Sequence, residues 1–412
     1  MNEDLLIERI IRRQEKANER ILIEIGKVLG EIGELSPSDA YKIAQQLKYG
    51  ESLDKILKIL SETSKINSEE IYKMFEKEAI FDLNKTKKYF KAKGLDFIPY
   101  EKNTALKQKV MEIASATLKE YNNISRTAGL KFLNSKGRVV TKGIKDAYSE
   151  LIDDAILNVS TGKQNFYEAL EEQLEIIGQS GVRSIEYEGG YSRRIDSAMR
   201  MNIKDGLNQL SNAQQEIVGE QFGANMVEVT HHANPAPDHI DTVDGKQFAL
   251  IDKIREQIKK GEEKEIKLSD IEGNRVKVKG KWYEDFNYVN NNLARKVSTL
   301  NCYHRTFRGI LGVDKPLYTE EQLKKDKEAN EKGFDYEGKH YTMYEGEQLM
   351  RKIETELRKT RETKIMAKAG DSKDLLDKTK AKERKLLSKY HEVTKISGLQ
   401  PKLERTRVLT IK

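Results

Sequence analysis

Apolar residues recur at helical spacing near the start of the chain. Steps of four and three residues place a set of aliphatic side chains on one stripe of a helix: Ile21, Ile25, Val28, Ile32 and Leu35. The stripe predicts a helix that buries one face. Two interpretations remain open, a helical hairpin within the chain or a coiled-coil seam to another subunit.

Further helical patterns follow through the first 220 residues, around 52–61, 68–93, 103–121 and 142–159. Ser36 to Asp39 have the residue types of a helix N-cap, and Gly223 is placed to end a helix that starts near Ile195. Stretches containing glycine and proline, such as KAKGLDFIPY and NSKGRVVTKG, interrupt the helical period. The pattern therefore predicts a mostly α-helical first half.

The pattern changes at Asn225. MVEVTHH alternates as a half-buried strand does, and KEIKLSDIEGNRVKVKGKWYEDFNYV contains β-rich runs separated by a GNR turn. Beyond Leu317 the helical period returns. Thr342 and Glu345 have the spacing of a capping box, and Ser397-Gly398 ends a second charged helix.

These elements predict a mainly α protein with a small α+β insert. We expect a helical N-terminal region, a compact β-containing module and a C-terminal helical hairpin. The predicted segments are 1–95, 96–224, 225–315 and 316–412.

Composition limits the class of protein. The chain has 412 residues, of which 37% are hydrophobic and 34% charged, so it can bury a core beneath a strongly charged surface. A single cysteine excludes an intramolecular disulfide and favours a cytosolic origin. No stretch reaches the roughly 18 apolar residues that a membrane span needs, and the N-terminus lacks the apolar core of a signal peptide. We expect a soluble protein.

The basic surplus lies in the C-terminal tail. Residues 351–412 contain 19 lysines and arginines against 9 acids, whereas the net charge of the whole chain is only +7. Such a run is either a solvated helix face or a surface that contacts nucleic-acid phosphates. The candidate contacts are Lys352, Arg358, Lys359, Arg361, Lys382, Arg384 and Lys385.

Four of the six histidines and the only cysteine lie between positions 231 and 304. Zinc accepts these donor types, so one hypothesis is a metal site formed by His232, His239, Cys302 and His304. The alternative is that the imidazoles form structural hydrogen bonds around the proline-containing turn at 235–237. The residue types suit zinc or another soft divalent ion, and the structural alternative needs no cofactor.

A catalytic interpretation requires Cys302 and His304 in contact, or a metal with Asp238 as a nearby base. No oxyanion hole is identifiable, and the chain contains no P-loop, GxGxxG or HExxH motif. Asp241 and Asp244, beside Gly245, have the residue types of turn capping. We therefore expect a protein that is not an enzyme.

Two of these passages resemble a known family. VEVTHHANPAPDHIDTVDGKQF is similar to a pattern in which a strand ends in histidine and a further histidine and a Gly-Lys pair follow, here His231, His239, Gly245 and Lys246. LNCYHRTFRGILGV resembles its Asn-Cys-x-His element, with Asn301 in the first place. The family is the phage minor capsid protein 2 group, related to the head-morphogenesis proteins. The resemblance covers about the last 220 residues.

Two positions depart from that family's pattern. The turn between the histidines reads Asn-Pro-Ala-Pro and lacks the usual arginine, and Val243-Asp244 stands where an aromatic residue commonly precedes the Gly-Lys pair. Any function that depends on that arginine is not expected here.

The resemblance implies a structural component of the phage virion head, assembled in the host cytoplasm. It also implies portal and major capsid proteins as partners, and contact with packaged double-stranded DNA. The alternative function is a metal-dependent hydrolase or transferase carried in the head.

Overall fold

The computed structural model describes residues 3–32, 39–134, 136–161, 166–185, 192–299, 302 and 304–406. The predicted cap at Ser36 and Pro37 and the family-motif residue Asn301 lie outside this part of the chain.

The helices occupy most of the described chain. They are α1 (Glu3–Ile32), α2 (Asp39–Lys85), α3 (Lys87–Lys93), α4 (Thr104–Arg126), α5 (Ile144–Thr161), α6 (Phe166–Ser180), α7 (Ile195–Phe222), α8 (Ile251–Lys260), α9 (Phe286–Asn291), α10 (Glu320–Lys332), α11 (Met343–Ala369) and α12 (Lys373–Ser397). The predicted mainly α fold class is confirmed.

The strands are short. They are β1 (Ala128–Leu133), β2 (Val139–Gly143), β3 (Arg183–Ile185), β4 (Ser192–Arg194), β5 (Met226–Val229), β6 (Gln247–Ala249), β7 (Ile271–Glu272), β8 (Arg275–Val278), β9 (Lys281–Glu284), β10 (Thr306–Gly309), β11 (Phe334–Tyr336) and β12 (Lys339–Tyr341). Within the described residues every ladder between these strands is antiparallel.

The chain forms two compact units, each built from separate stretches. The first contains residues 1–71, 118–202 and 346–412, and the second contains residues 72–117 and 203–345. The predicted module at 225–315 lies wholly within the second unit. The division into four consecutive segments stays a prediction.

In the first unit, the part of the predicted apolar stripe from Ile21 to Val28 is buried; Leu35, its last member, lies outside the described residues. Ile21 and Ile25 are fully buried and Val28 is nearly so, and α1 packs against α5 and α6. Because this burial occurs within one chain, it favours the intramolecular interpretation of the stripe over a seam to another subunit.

A four-stranded sheet in the first unit was not predicted. Its strand order is β2-β1-β3-β4, and β1 pairs with both β2 and β3. The strands are three to six residues long, too short for a clear period-2 pattern. The ladder between β1 and β3, which joins the two local strand pairs into one sheet, also links residues more than fifty positions apart.

The start of α11 and the end of α12 lie where the sequence predicts. Thr342 and Glu345 form a reciprocal capping box, with N···O distances of 2.9 and 3.1 Å. Gly398, at φ 71°, follows α12 in the left-handed conformation. On α12, Leu375 and Tyr390 are buried.

In the second unit, the sheet of order β10-β5-β6 is buried on both faces. Neighbouring residues of a strand point to opposite sides, so Met226 and Ala249 join one apolar cluster with Val276 of β8. Val227 and Phe248 join another on the opposite side. The sheet is therefore a rigid support for the loops that leave its strands.

The described residues contain no helix with both the length and the apolar character needed to cross a membrane.

Candidate metal centre

The loop between β5 and β6, residues 230–246, brings the histidine-rich passage over the sheet. It leaves the buried strand at Thr230 and returns through Gly245. The φ of Gly245 is 68°, in the left-handed region that favours glycine. A Cβ at Gly245 would lie 2.5 Å from Leu323 Cδ2 and 3.2 Å from His231 Cβ. Glycine is therefore needed at this family-motif position both for its conformation and for space. The neighbouring Lys246 is exposed, and its Nζ donates to the Asp241 carbonyl.

Cys302 and His304 lie immediately before β10. The Cys302 N–H donates to the Thr299 carbonyl at 2.8 Å. Ser298 is buried with a positive φ of 63°, a strained conformation for this residue. Its hydroxyl donates to the His304 carbonyl at 2.7 Å, which fixes the segment that carries both side chains.

Three of the four predicted ligands converge. His239 Nδ1 lies 3.2 Å from His304 Nδ1, and Cys302 Sγ lies 3.6 Å from the first and 3.4 Å from the second. The three residues are 0%, 3% and 3% exposed. Within the described residues, they are the group whose ligand atoms could hold a metal ion.

The fourth predicted ligand, His232, occupies a different position. Its ring packs edge to face against His304, with ring centroids 4.6 Å apart, and its backbone N–H donates to Asp244 Oδ1 at 2.9 Å. It therefore contributes to the wall of the cluster through ring packing and its main chain.

Asp244 connects the histidines. Its Oδ1 lies 2.8 Å from His304 Nε2, and its Oδ2 lies 2.5 Å from His231 Nδ1. The second nitrogen of His231 lies 2.9 Å from Asp326 Oδ2 on α10. Turn capping therefore describes only part of what Asp244 does. The local sequence does not distinguish Asp244 from Asp241. A cluster of histidines does, however, predict a nearby carboxylate that accepts from their rings.

Arg295 is a second residue that the sequence did not indicate. Its carbonyl oxygen lies 2.7 Å from His239 Nε2. Its guanidinium donates to both oxygens of Asp238, at 3.1 and 2.9 Å. Asp238, the carboxylate considered as a catalytic base, is thus held in an ion pair.

The electrostatics of the cluster favour a thiolate beside imidazoles. Burial opposes ionisation of the Cys302 thiol, but hydrogen bonding to His239 and His304 outweighs it and lowers its pKa to about 6. Burial likewise opposes a charged His304, whereas Asp244 and Cys302 raise its pKa to about 9. Burial would raise the pKa of Asp244, but its histidine partners lower it.

The seven basic residues proposed as nucleic-acid contacts have different environments. Arg358 pairs with buried Asp196, and Arg361 pairs with Glu383 at 2.7 Å. Glu356 lies 2.7 Å from the Nζ of Lys359 and 3.7 Å from that of Lys382. Lys382 is exposed in spite of this pair, and so are the remaining three, Lys352, Arg384 and Lys385.

The sequence matches one family of known proteins over almost its whole length. A family model described as phage minor capsid protein 2 matches residues 3–393. The match extends well beyond the last 220 residues, which carry the motif resemblance, and includes the N-terminal helices. No match was found among the curated proteins or the solved structures.

Proposed function

This chain belongs to the phage minor capsid protein 2 family, and we propose that it is a structural component of the phage head. In this proposal it assembles in the host cytoplasm with the portal and the major capsid protein. The observation that carries the proposal is the extent of the family match, which includes stretches of both compact units. The family relationship therefore concerns the whole architecture rather than one shared module.

The geometry of the histidine cluster supports a structural role over a catalytic one. The three converging side chains are almost completely buried, so a substrate would have to displace the walls of the module to reach them. The carboxylate that a hydrolase would use as a base, Asp238, is bound by Arg295. These two features argue against the alternative of a hydrolase or transferase carried in the head.

The head proposal is tested in a phage that lacks its own copy of this protein and is supplied with a tagged copy. Proheads, filled heads and tails are separated, and the protein is quantified in each by mass spectrometry. We expect it in proheads before DNA enters, with chemical cross-links to portal and major capsid protein. Detection only in tails or in the unassembled fraction would contradict the proposal.

We also propose that contact with packaged double-stranded DNA runs through the exposed basic residues of α11 and α12. Lys352, Arg384 and Lys385 are exposed, whereas Arg358 and Arg361 are engaged with buried or half-buried partners. Lysine and arginine bind phosphate without regard to sequence, and the affinity falls as salt rises because counterions are released on binding.

The DNA proposal is tested by replacing Lys352, Arg384 and Lys385 with glutamine. We expect weaker binding to duplex DNA of any sequence. The slope of log affinity against log salt should also fall, by roughly one unit for each side chain that no longer binds a phosphate. The matched control replaces three exposed lysines of the second unit: Lys259, Lys277 and Lys325. Equal losses of affinity in both variants would show that overall charge, rather than this surface, determines binding.

A further inference from the structure

The hydrogen bonds around the cluster determine which atoms face its centre. The Arg295 carbonyl is an acceptor, so His239 Nε2, 2.7 Å away, must carry a hydrogen. The Asp244 carboxylate has no hydrogen to donate, so His304 Nε2 must donate to its Oδ1. A neutral imidazole protonated at Nε2 presents a lone pair at Nδ1. When both rings are neutral, both Nδ1 lone pairs therefore point inward.

Two inward lone pairs beside a sulfur are not a stable arrangement on their own. The Nδ1 atoms are 3.2 Å apart, and a thiol hydrogen on Cys302 can serve only one of them. At this separation, in a buried site, the lone pairs repel each other unless a cation lies between them. That cation is either an additional proton on one imidazole or a metal ion.

The three distances match a metal ion of tetrahedral preference. Zinc bonds of about 2.0 Å to nitrogen and about 2.3 Å to sulfur, at tetrahedral angles, separate two nitrogen ligands by roughly 3.3 Å and nitrogen from sulfur by roughly 3.5 Å. The observed separations are 3.2 Å between the nitrogens, and 3.4 and 3.6 Å from them to the sulfur. Two imidazoles and a thiolate also bind zinc in preference to magnesium or calcium, which favour oxygen ligands.

We propose that His239 Nδ1, His304 Nδ1 and Cys302 Sγ bind a zinc ion. The contacts outside the ligands have the form that zinc histidines require, with one ring hydrogen donated to a carboxylate and the other to a backbone carbonyl. Asp244 and the Arg295 carbonyl supply these acceptors. They fix the tautomer and orientation of each ring before the metal binds.

The role of this zinc is to join distant parts of the second unit. His239 lies in the loop between β5 and β6, whereas Cys302 and His304 lie directly before β10, and 63 positions separate His239 from Cys302. β10 and β6 flank β5 in one sheet. The metal therefore closes a long loop at the end of that sheet, where Val229 and Val243 form part of the underlying apolar cluster.

The test is made on the full-length wild-type protein, purified without chelators and dialysed against zinc, after which loosely bound metal is removed. Elemental mass spectrometry should give one zinc per chain, and X-ray absorption at the zinc edge should show two imidazole nitrogens, one sulfur and one further light donor. No stoichiometric zinc in this sample would overturn the proposal and assign the central cation to a proton.

Variants then assign the ligands. Cys302→Ser should lose the zinc or bind it at least tenfold more weakly, whereas His340→Ala, which alters an exposed histidine of the same unit, should keep one zinc per chain. Cobalt substitution gives a readout that does not depend on stability, because a thiolate-to-cobalt charge-transfer band should appear in wild type and vanish in Cys302→Ser. A band that persists would exclude Cys302 as a ligand. The zinc proposal does not depend on the proposed head function, since metal content and head incorporation are measured separately.

Discussion

At the residue scale, Asp244 is the acceptor on which the cluster depends. It is 4% exposed and accepts from the ring of His304, the ring of His231 and the backbone of His232. Each partner orients a different part of the loop, so loss of the carboxylate charge affects all three. A buried anion that serves several donors is costly to remove because the donors lose their partner without regaining water.

Asp244→Asn should therefore destabilise the second unit by about 3 kcal/mol and weaken zinc binding by about 10- to 100-fold. Urea denaturation and chelator competition measure the two effects. Asp241→Asn is the matched control, since Asp241 is exposed and pairs with Lys327 on the surface; it should change stability by less than about 0.5 kcal/mol. Equal effects in both variants would contradict the role given to Asp244.

Glu15 is the residue that should make the first unit sensitive to pH. It lies among charged groups of α1, α7 and α11, and burial, followed by repulsion from Asp196, raises its pKa to about 8, although Arg358 and Arg200 act in the opposite direction. The unfolded chain has the ordinary value of 4.5. Between these values the folded state binds the extra proton, so the free energy of unfolding falls as pH rises.

Glu15→Gln should remove this dependence. We expect the wild type to lose on the order of 2 kcal/mol between about pH 5 and about pH 8, and the variant to lose much less. The measurement is the urea midpoint of the first unit across that range. Glu172→Gln, at an exposed position of α6, should retain the wild-type slope. A variant slope equal to that of wild type would show that Glu15 is not the titrating group.

At the element scale, the helices of the first unit approach one another at glycines. A Cβ at Gly178 of α6 would lie 2.5 Å from Thr363 Cα of α11, and a Cβ at Gly26 of α1 would lie 2.8 Å from Ala369 Cβ. The backbones are close enough that even a methyl group must displace a helix. These contacts place α11 against α1 and α6, which explains why residues from both ends of the chain share one unit.

Gly178→Ala should therefore destabilise the first unit by about 1 to 3 kcal/mol, because the added methyl group meets backbone. Gly50 of α2 is the matched control, since an added Cβ there meets nothing within 4 Å. Gly50→Ala should instead stabilise by about 0.5 to 1 kcal/mol, through the lower helix propensity of glycine. Thermal or urea denaturation of both variants tests the opposite signs, and equal signs would contradict the packing argument.

The elements also show what the sequence could and could not predict. Helices such as α7 and the capping box of α11 follow from spacing within a few residues, and these predictions are confirmed. The histidine cluster could be anticipated because four histidines and the only cysteine fall within one stretch. The sheet containing β1 could not, because its strands are short and β1 pairs with β3 across more than fifty positions. For the same reason the local sequence could not reveal that Arg295 accepts from His239.

At the scale of the whole molecule, four long helices each contain residues of both units: α2, α4, α7 and α11. The proposed zinc, in contrast, has all its ligands in the second unit, where it joins the loops beside β5 and β10. Metal binding stabilises only those states in which the ligands are assembled. Its removal should therefore loosen the elements next to the ligands first, and the first unit least.

Hydrogen exchange followed by mass spectrometry can separate these effects on the intact chain. After zinc removal we expect faster exchange by about tenfold or more in peptides covering β5, β6 and β10, which corresponds to at least about 1.4 kcal/mol of local stability. Peptides from α1 and from the α11–α12 hairpin should exchange as before, and Trp282 fluorescence gives an independent optical signal from the second unit.

Readdition of zinc should restore protection in wild type and in His340→Ala, but not in Cys302→Ser. Uniform loss of protection across both units would mean that the metal stabilises the entire chain. Unchanged exchange near β10 would mean that the loops beside β5 and β10 keep their stability without zinc.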